Sequence, residues 1–168
     1  PNAALASDTG RVGNDAITRS GAITAPTNIE SGASVEYRVK KDAGSFGNWS
    51  GTYTAPATNG SADGVYVVEV RQTDLAGNVS ASQSLTFTLD NTAPAGPNAA
   101  LASDTGRVGN DAITQSGAIT APTNTESGAS VEYRIKKDAA SFSAWSSTYT
   151  APAANGSADG GYVVEVRQ

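Results

Sequence analysis

The residues of this chain best suited to chemistry are carboxylates and carboxamides at the ends of apolar runs. Asp8, Asn14 and Asp15 follow one such run, Asp63 precedes another, and Asp90 and Asn91 close a third. Oxygen donors of this type suit a hard divalent cation such as Ca²⁺, which takes about 6–8 oxygens from Asp, Asn and backbone carbonyls. Asp104, Asp111 and Asp159 repeat part of the set further along, and Glu126 lies in a loop of that second stretch. The competing reading of the same residues is structural: Asn-Asp and Asp-Gly pairs make turns in which the side chain bonds its own backbone.

Other chemistries are excluded by composition. The 168 residues include no His, Cys or Met, so there is no Ser/His/Asp triad, no thiolate nucleophile, no zinc site with N or S ligands and no haem with His, Cys or Met axial ligands. Glu36 and Glu69, repeated as Glu132 and Glu165, could be set up as a glycosidase pair. Each sits in a strand pattern beside an arginine, Arg38 or Arg71, and solvated cross-strand ion pairing accounts for them better. Trp49 and Tyr53 are placed by spacing on one strand face, where they would either stack a sugar or fill a core. A net charge of −5 and a pI near 4.6 disfavour nucleic acid and anionic membrane as partners. No apolar run approaches the roughly 20 residues of a membrane span.

The elements that must position these groups are strands. Val35, Tyr37 and Val39 alternate with Glu36, Arg38 and Lys40; Tyr66, Val68 and Val70 alternate with Val67, Glu69 and Arg71; Leu85, Phe87 and Leu89 alternate with Thr86, Thr88 and Asp90. Period two with one apolar face predicts half-buried strands and a core of Tyr37, Val39, Tyr66, Val68, Val70, Leu85, Phe87 and Leu89. Weaker strands are expected at residues 3–7, 21–25 and 49–54. Asn14-Asp15, Ser31-Gly32, Asn59-Gly60, Asp63-Gly64 and Ala76-Gly77-Asn78 punctuate them as turns. No stretch carries a sustained helical period. The fold class expected is all-β, an antiparallel sandwich of about seven strands per unit.

The chain repeats itself. Pro97-Asn98-Ala99-Ala100-Leu101 restates Pro1-Asn2-Ala3-Ala4-Leu5, a period of 96 residues, and nine of the 72 comparable positions differ. A unit of that length carries its own core. The organisation expected is a first repeat at residues 1–91, a linker at 92–96 and a second repeat at 97–168. The second stops at Gln168, the counterpart of Gln72, and so lacks the last strand; this predicts an exposed edge at Val163–Arg167 and a longer parent protein.

Four motifs in fixed order give the chain a resemblance. Asp8-Thr9-Gly10 with Asn14-Asp15-Ala16-Ile17-Thr18, Ser61-Ala62-Asp63-Gly64, Thr73-Asp74-Leu75-Ala76-Gly77-Asn78 and Leu89-Asp90-Asn91-Thr92-Ala93-Pro94 resemble the bacterial immunoglobulin-like tandem repeats of giant secreted surface adhesins and biofilm-associated proteins. The resemblance implies extracellular spacer modules on a bacterial cell surface, non-enzymatic, often stiffened by calcium. Its implied partners are neighbouring repeats of the same chain, with a host-surface or matrix ligand bound through other domains, and it implies a monomer. A calcium site is expected at the junction, from Asp8, Asp15, Asp63, Asp90 and Asn91 with Glu126, and a weaker one from Asp104, Asp111 and Asp159. The repeats are expected to lie end to end. The alternatives are a glycan- or receptor-binding adhesive module and an accessory Ig-like domain of a secreted hydrolase.

Overall fold

Alternating apolar and polar side chains fold here into strands, as period two requires. The computed structural model describes residues 1–168. Its elements are β1 (Ile17–Thr18), β2 (Ser34–Lys41), β3 (Gly64–Thr73), β4 (Gln83–Leu89), β5 (Glu132–Lys137) and β6 (Tyr162–Arg167), with no helix. The chain divides into two units, Pro1–Thr92 and Ala93–Gln168.

In the first unit the four strands make one sheet in the order β1-β4-β3-β2. β3 is central, antiparallel to β2 with Tyr37 opposite Val70 and Val39 opposite Val68, and antiparallel to β4 with Tyr66 opposite Phe87 and Val68 opposite Leu85. This register puts every expected core residue of β3 and β4 on one face. Tyr66, Val68, Val70, Phe87 and Leu89 are buried, and Leu5, Val39, Tyr53 and Leu85 pack around the cluster. Tyr66 and Phe87 stack with ring centroids 5.4 Å apart. A short antiparallel ladder of residues 2–6 with 22–27, bridged at Asn2–Thr27 and Leu5–Ile23, supplies the facing layer through Leu5.

Two features depart from the expected plan. β1 pairs with β4 in parallel, Ile17 opposite Thr88 and Thr18 opposite Leu89. It enters through Ala16 in the left-handed region at φ 58°, a turn that sets the next two residues running with β4. Residues 49–54, expected as a strand, form a single bridge, Tyr37–Ser50, followed by a bend. The bend breaks the alternation, so Trp49 and Tyr53 do not share a face: Trp49 lies against Arg38 and Arg71, while Tyr53 packs on Tyr37 at 6.1 Å and donates its hydroxyl to the Gly21 carbonyl at 2.5 Å.

The second unit keeps the hairpin and the facing ladder. β5 and β6 form a two-stranded antiparallel sheet with Tyr133 opposite Val166 and Ile135 opposite Val164, and Asn98–Thr123 and Leu101–Ile119 bridge as in the first unit. No strand covers the outer edge of β6.

Candidate functional site

The carboxylates named from the sequence lie in loops, and several of them accept a hydrogen bond from a nearby amide. Asp8 Oδ2 accepts from the Ala16 amide at 3.0 Å, holding the left-handed turn; Asp15 Oδ1 accepts from the Ile17 amide at 3.0 Å. The carbonyls of Ala16 and Thr18 then accept from the Thr88 and Asp90 amides, which is how the loop after residue 8 is tied to the exit of β4. Asp63 ties the entry of β3 to the same exit. Its Oδ1 accepts from the Asn91 amide at 2.9 Å and its Oδ2 from the Thr92 hydroxyl at 2.6 Å. The Thr92 hydroxyl bond first, and the Asn91 bonds with it, hold the Asp63 carboxyl below the ordinary carboxylate value, against the opposing effect of partial burial. Asp90 Oδ1 accepts from the Thr92 amide at 3.1 Å.

In the second unit Asp104 and Asp111 rebuild the first part, accepting from the Ala112 and Ile113 amides at 2.9 and 3.0 Å. Asp159 is exposed and its own amide donates to the Gly156 carbonyl. Glu126 is exposed in a turn, where its amide donates to the Gln168 side chain.

These side chains do not, as placed, make a calcium cage. No three acidic groups gather around one point in residues 1–168, whereas the ion takes about 6–8 oxygens. One acceptor stands apart: Asp8 Oδ1 is buried without a hydrogen-bond partner, and Asp104 Oδ1 repeats it.

Sequence reasoning missed two further carboxylate locks. Asp42, itself at φ 52°, accepts from the Val65 amide through Oδ1 at 2.9 Å while its own amide donates to the Val65 carbonyl at 2.6 Å. A Cβ at Gly64, at φ 148°, would meet this carboxylate at 2.8 Å, so glycine is required beside it. Asp74 closes the loop after β3 by accepting from the Ala76 and Asn78 amides and the Asn78 side chain. The Asn78 side-chain bond leads in holding its carboxyl below the ordinary value. The signal for both is an Asp followed within a few residues by Gly or Asn, at Asp42-Ala43-Gly44 and Asp74-Leu75-Ala76-Gly77-Asn78.

The outward face of β2 and β3 is occupied by its own side chains. Arg38 pairs with Glu69 at 2.6 Å and Arg71 with Glu36 at 2.8 Å, across the strands. Arg38 stacks over both Phe46 and Trp49, Arg71 over Trp49 at 4.0 Å, and Lys40 over Phe46. The alternation of cation and ring recurs in the second unit through Arg134, Arg167, Lys136, Phe142 and Trp145. An indole in contact with two guanidinium groups offers little free face to a sugar, and both glutamates are engaged by arginine across the strands.

On the inner side Tyr66 donates its hydroxyl to the Ala62 carbonyl four residues upstream at 2.6 Å, the tyrosine-corner contact of immunoglobulin-type sandwiches. Burial, and then the neighbouring Tyr66, push the Tyr53 phenol up to about 12.

Comparison with known proteins gives one finding. A family model described as bacterial Ig-like domain matches residues 1–91. No curated protein and no solved structure matches the chain.

Proposed function

The chain belongs to the bacterial Ig-like domain family, and from that premise we propose that its two repeats are structural extenders of a bacterial cell-surface adhesin, supporting adhesion or biofilm formation without catalysis. The observation that carries this reading is the self-sufficiency of the repeated surface. The ladder of Arg38, Trp49 and Arg71 and its copy spend their charges and ring faces on each other. A spacer must hold its shape without presenting sticky side faces, and a surface already paired with itself meets that need. No helix is long and apolar enough to cross a membrane.

Small-angle scattering of the full chain tests the extender reading. A maximum dimension near two repeats of about 40 Å, from strands of ~10 residues rising ~3.3 Å each with their loops, supports it; a folded-back pair overturns it. A glycan array gives the competing outcome. Reproducible sugar binding lost in Trp49→Ala with Trp145→Ala would move the chain to the adhesive-module class.

Calcium stiffening at the junction, through Asp8, Asp15, Asp63, Asp90, Asn91 and Glu126, is proposed on the support of the unpartnered buried Oδ1 of Asp8. The ion would compete with the bonds that Asp15, Asp63 and Asp90 accept from Ile17, Asn91 and Thr92. Calorimetric titration with melting in calcium and in chelator checks it: heat and a melting shift, both lost in Asp63→Ala with Asp90→Ala, add the metal, and the absence of both removes it.

A further inference from the structure

The Asn59-Gly60 and Asn155-Gly156 turns belong neither to the core nor to the cation–ring ladder, and the two copies share one geometry. In each, the asparagine Oδ1 accepts two bonds from the serine two residues on, at 3.1 Å from its amide and at 2.6 Å from its hydroxyl, in Ser61 as in Ser157. Gly60 and Gly156 follow at φ 81° and 80°, and neither glycine amide is spent on a backbone bond of the loop. Both asparagines are exposed. We propose that each turn is a site of spontaneous covalent modification, at which the glycine main-chain nitrogen attacks the asparagine side-chain carbonyl and converts Asn59 and Asn155 to aspartate and isoaspartate. The proposal rests on the loop and not on the extender reading.

The chemistry needs only water. The Gly60 nitrogen forms a bond to Asn59 Cγ, the bond from Cγ to the side-chain nitrogen breaks, and ammonia leaves with the proton that the Gly60 amide gives up. The product is a five-membered succinimide ring. Water then adds to one of its two carbonyls and opens it, leaving a free carboxyl and either the original main chain or one that runs through Cβ and Cγ. Negative charge develops on Oδ1 as the nitrogen adds, and the Ser61 amide and hydroxyl already point at that oxygen, where hydrogen bonds strengthen as charge builds. Glycine brings no Cβ to crowd the attacking nitrogen. No other asparagine of the chain is followed by glycine.

In the first unit the change reaches a lock. A Cβ at Gly60 would stand 3.2 Å from Thr92 Oγ1, and that hydroxyl donates to Asp63 at 2.6 Å. The Gly60 carbonyl in turn accepts from the Asp63 amide at 3.3 Å. An isoaspartate lengthens the main chain by one carbon just ahead of Gly60. It therefore shifts this glycine against Thr92 and loosens the tie between the entry of β3 and the exit of β4.

The experiment holds the intact 168-residue protein at mildly alkaline pH and follows released ammonia, peptide mass and isoaspartate by enzymatic methylation. Expected are the mass gain of amide-to-acid conversion and isoaspartate at Asn59 and Asn155, well ahead of every other asparagine. Ser61→Ala removes the hydroxyl donor and keeps the amide donor. Conversion at Asn59 should then slow at least about threefold, a small part of the roughly 10²–10³ that such a donor is worth in a closed site, with Asn155 in the same chain as the unchanged reference. In urea-unfolded chains the substitution should make no such difference, which separates the folded turn from the local sequence. No conversion, conversion spread over the other asparagines, or equal slowing in urea overturns the proposal. So does unchanged or faster conversion in Ser61→Ala, which would mean that the serine bonds hold the carbonyl away from the nitrogen. None of these results bears on the scattering test.

Discussion

Nearly the same residues stand in the two repeats with different burial, and the difference separates what a hairpin supplies from what its lid supplies. Val68 and Val70 are fully buried in the first unit, while Val164 and Val166 are half-buried in the second. Ile17 is 43% exposed and Ile113 67%. The contacts that need only the hairpin are unchanged: Arg134 pairs with Glu165 and Arg167 with Glu132, and the Tyr162 hydroxyl reaches the Ala158 carbonyl at 2.6 Å, as in the first copy. Cross-strand ion pairs, the cation–ring ladder and the tyrosine corner are therefore local properties. The dry core depends on β4, which lies beside Tyr66 and Val68 on one side and beside the buried Thr18 on the other.

The largest effect is expected from removing that lid's anchor. Phe87→Ala should destabilise the first unit by about 3–5 kcal/mol, the range for truncating a buried aromatic, and leave the second unchanged. Hydrogen exchange read at residues 64–73 and 162–167 checks it, because each repeat then reports separately. Rapid exchange at 64–73, matching that at 162–167, is the expected result. If 64–73 stay as protected as before, the lid is not what distinguishes the repeats.

The ladder should behave in the opposite way. Trp49→Ala removes an indole stacked by Arg38 and Arg71, with an expected loss of about 1–2 kcal/mol from two cation–ring contacts. Trp145→Ala should cost as much, since Arg134 and Arg167 repeat the arrangement without any help from a lid. Denaturant unfolding of each variant measures both, and a clear asymmetry between them would show that the ladder is coupled to the core after all.

Asp63 should make the first repeat the more acid-sensitive one. Its carboxyl is held below the ordinary value, chiefly by the Thr92 hydroxyl, so the bond is fully present above the ordinary carboxylate value and is lost as the pH falls through the lowered folded value. The Asp159 side chain is exposed and makes none of these bonds. Melting of Asp63→Asn followed from pH 7 to pH 2 should show a lower starting point for the first repeat and a shallower decline; Asp159→Asn should match the parent throughout.

The fold was legible where one face of a strand is buried, because alternation then fixes both strand and register. Tyr66, Val68, Val70, Phe87 and Leu89 were all readable in this way. β1 was not, since two residues cannot show a period and its parallel pairing depends on the left-handed turn at Ala16. Residues 49–54 misled for a related reason: the bend after Ser50 sends Trp49 and Tyr53 to opposite faces, and a bend leaves no mark in an alternating pattern. The candidate carboxylates were legible as strand-end residues. Their partners were not, because Asp8 to Ala16, Asp63 to Thr92 and Asp42 to Val65 are bonds across loops whose closure only the folded chain specifies.

The smallest expected effect divides the repeats most finely. Ala16 and Ala112 sit at φ 58° and 60°, where an L-residue pays about 1–2 kcal/mol that glycine does not. Glycine gives back about 0.5–1 kcal/mol through the freedom of the unfolded chain. On those two terms each Ala→Gly change should stabilise by roughly 0.5–1 kcal/mol. In the first unit a third term enters, because Ala16 packs against the core beneath the lid, and its methyl contributes up to about 0.8 kcal/mol of burial. Ala112 is exposed and has no such contact. Ala112→Gly is therefore expected to raise the stability of its repeat while Ala16→Gly leaves its own nearly unchanged. Urea midpoints of the two variants, resolved by exchange at 64–73 and 162–167, read the difference. Equal gains in both repeats would mean that the methyl under the lid contributes nothing, and that the well-packed core of the first unit stops short of the turn that carries β1 into it.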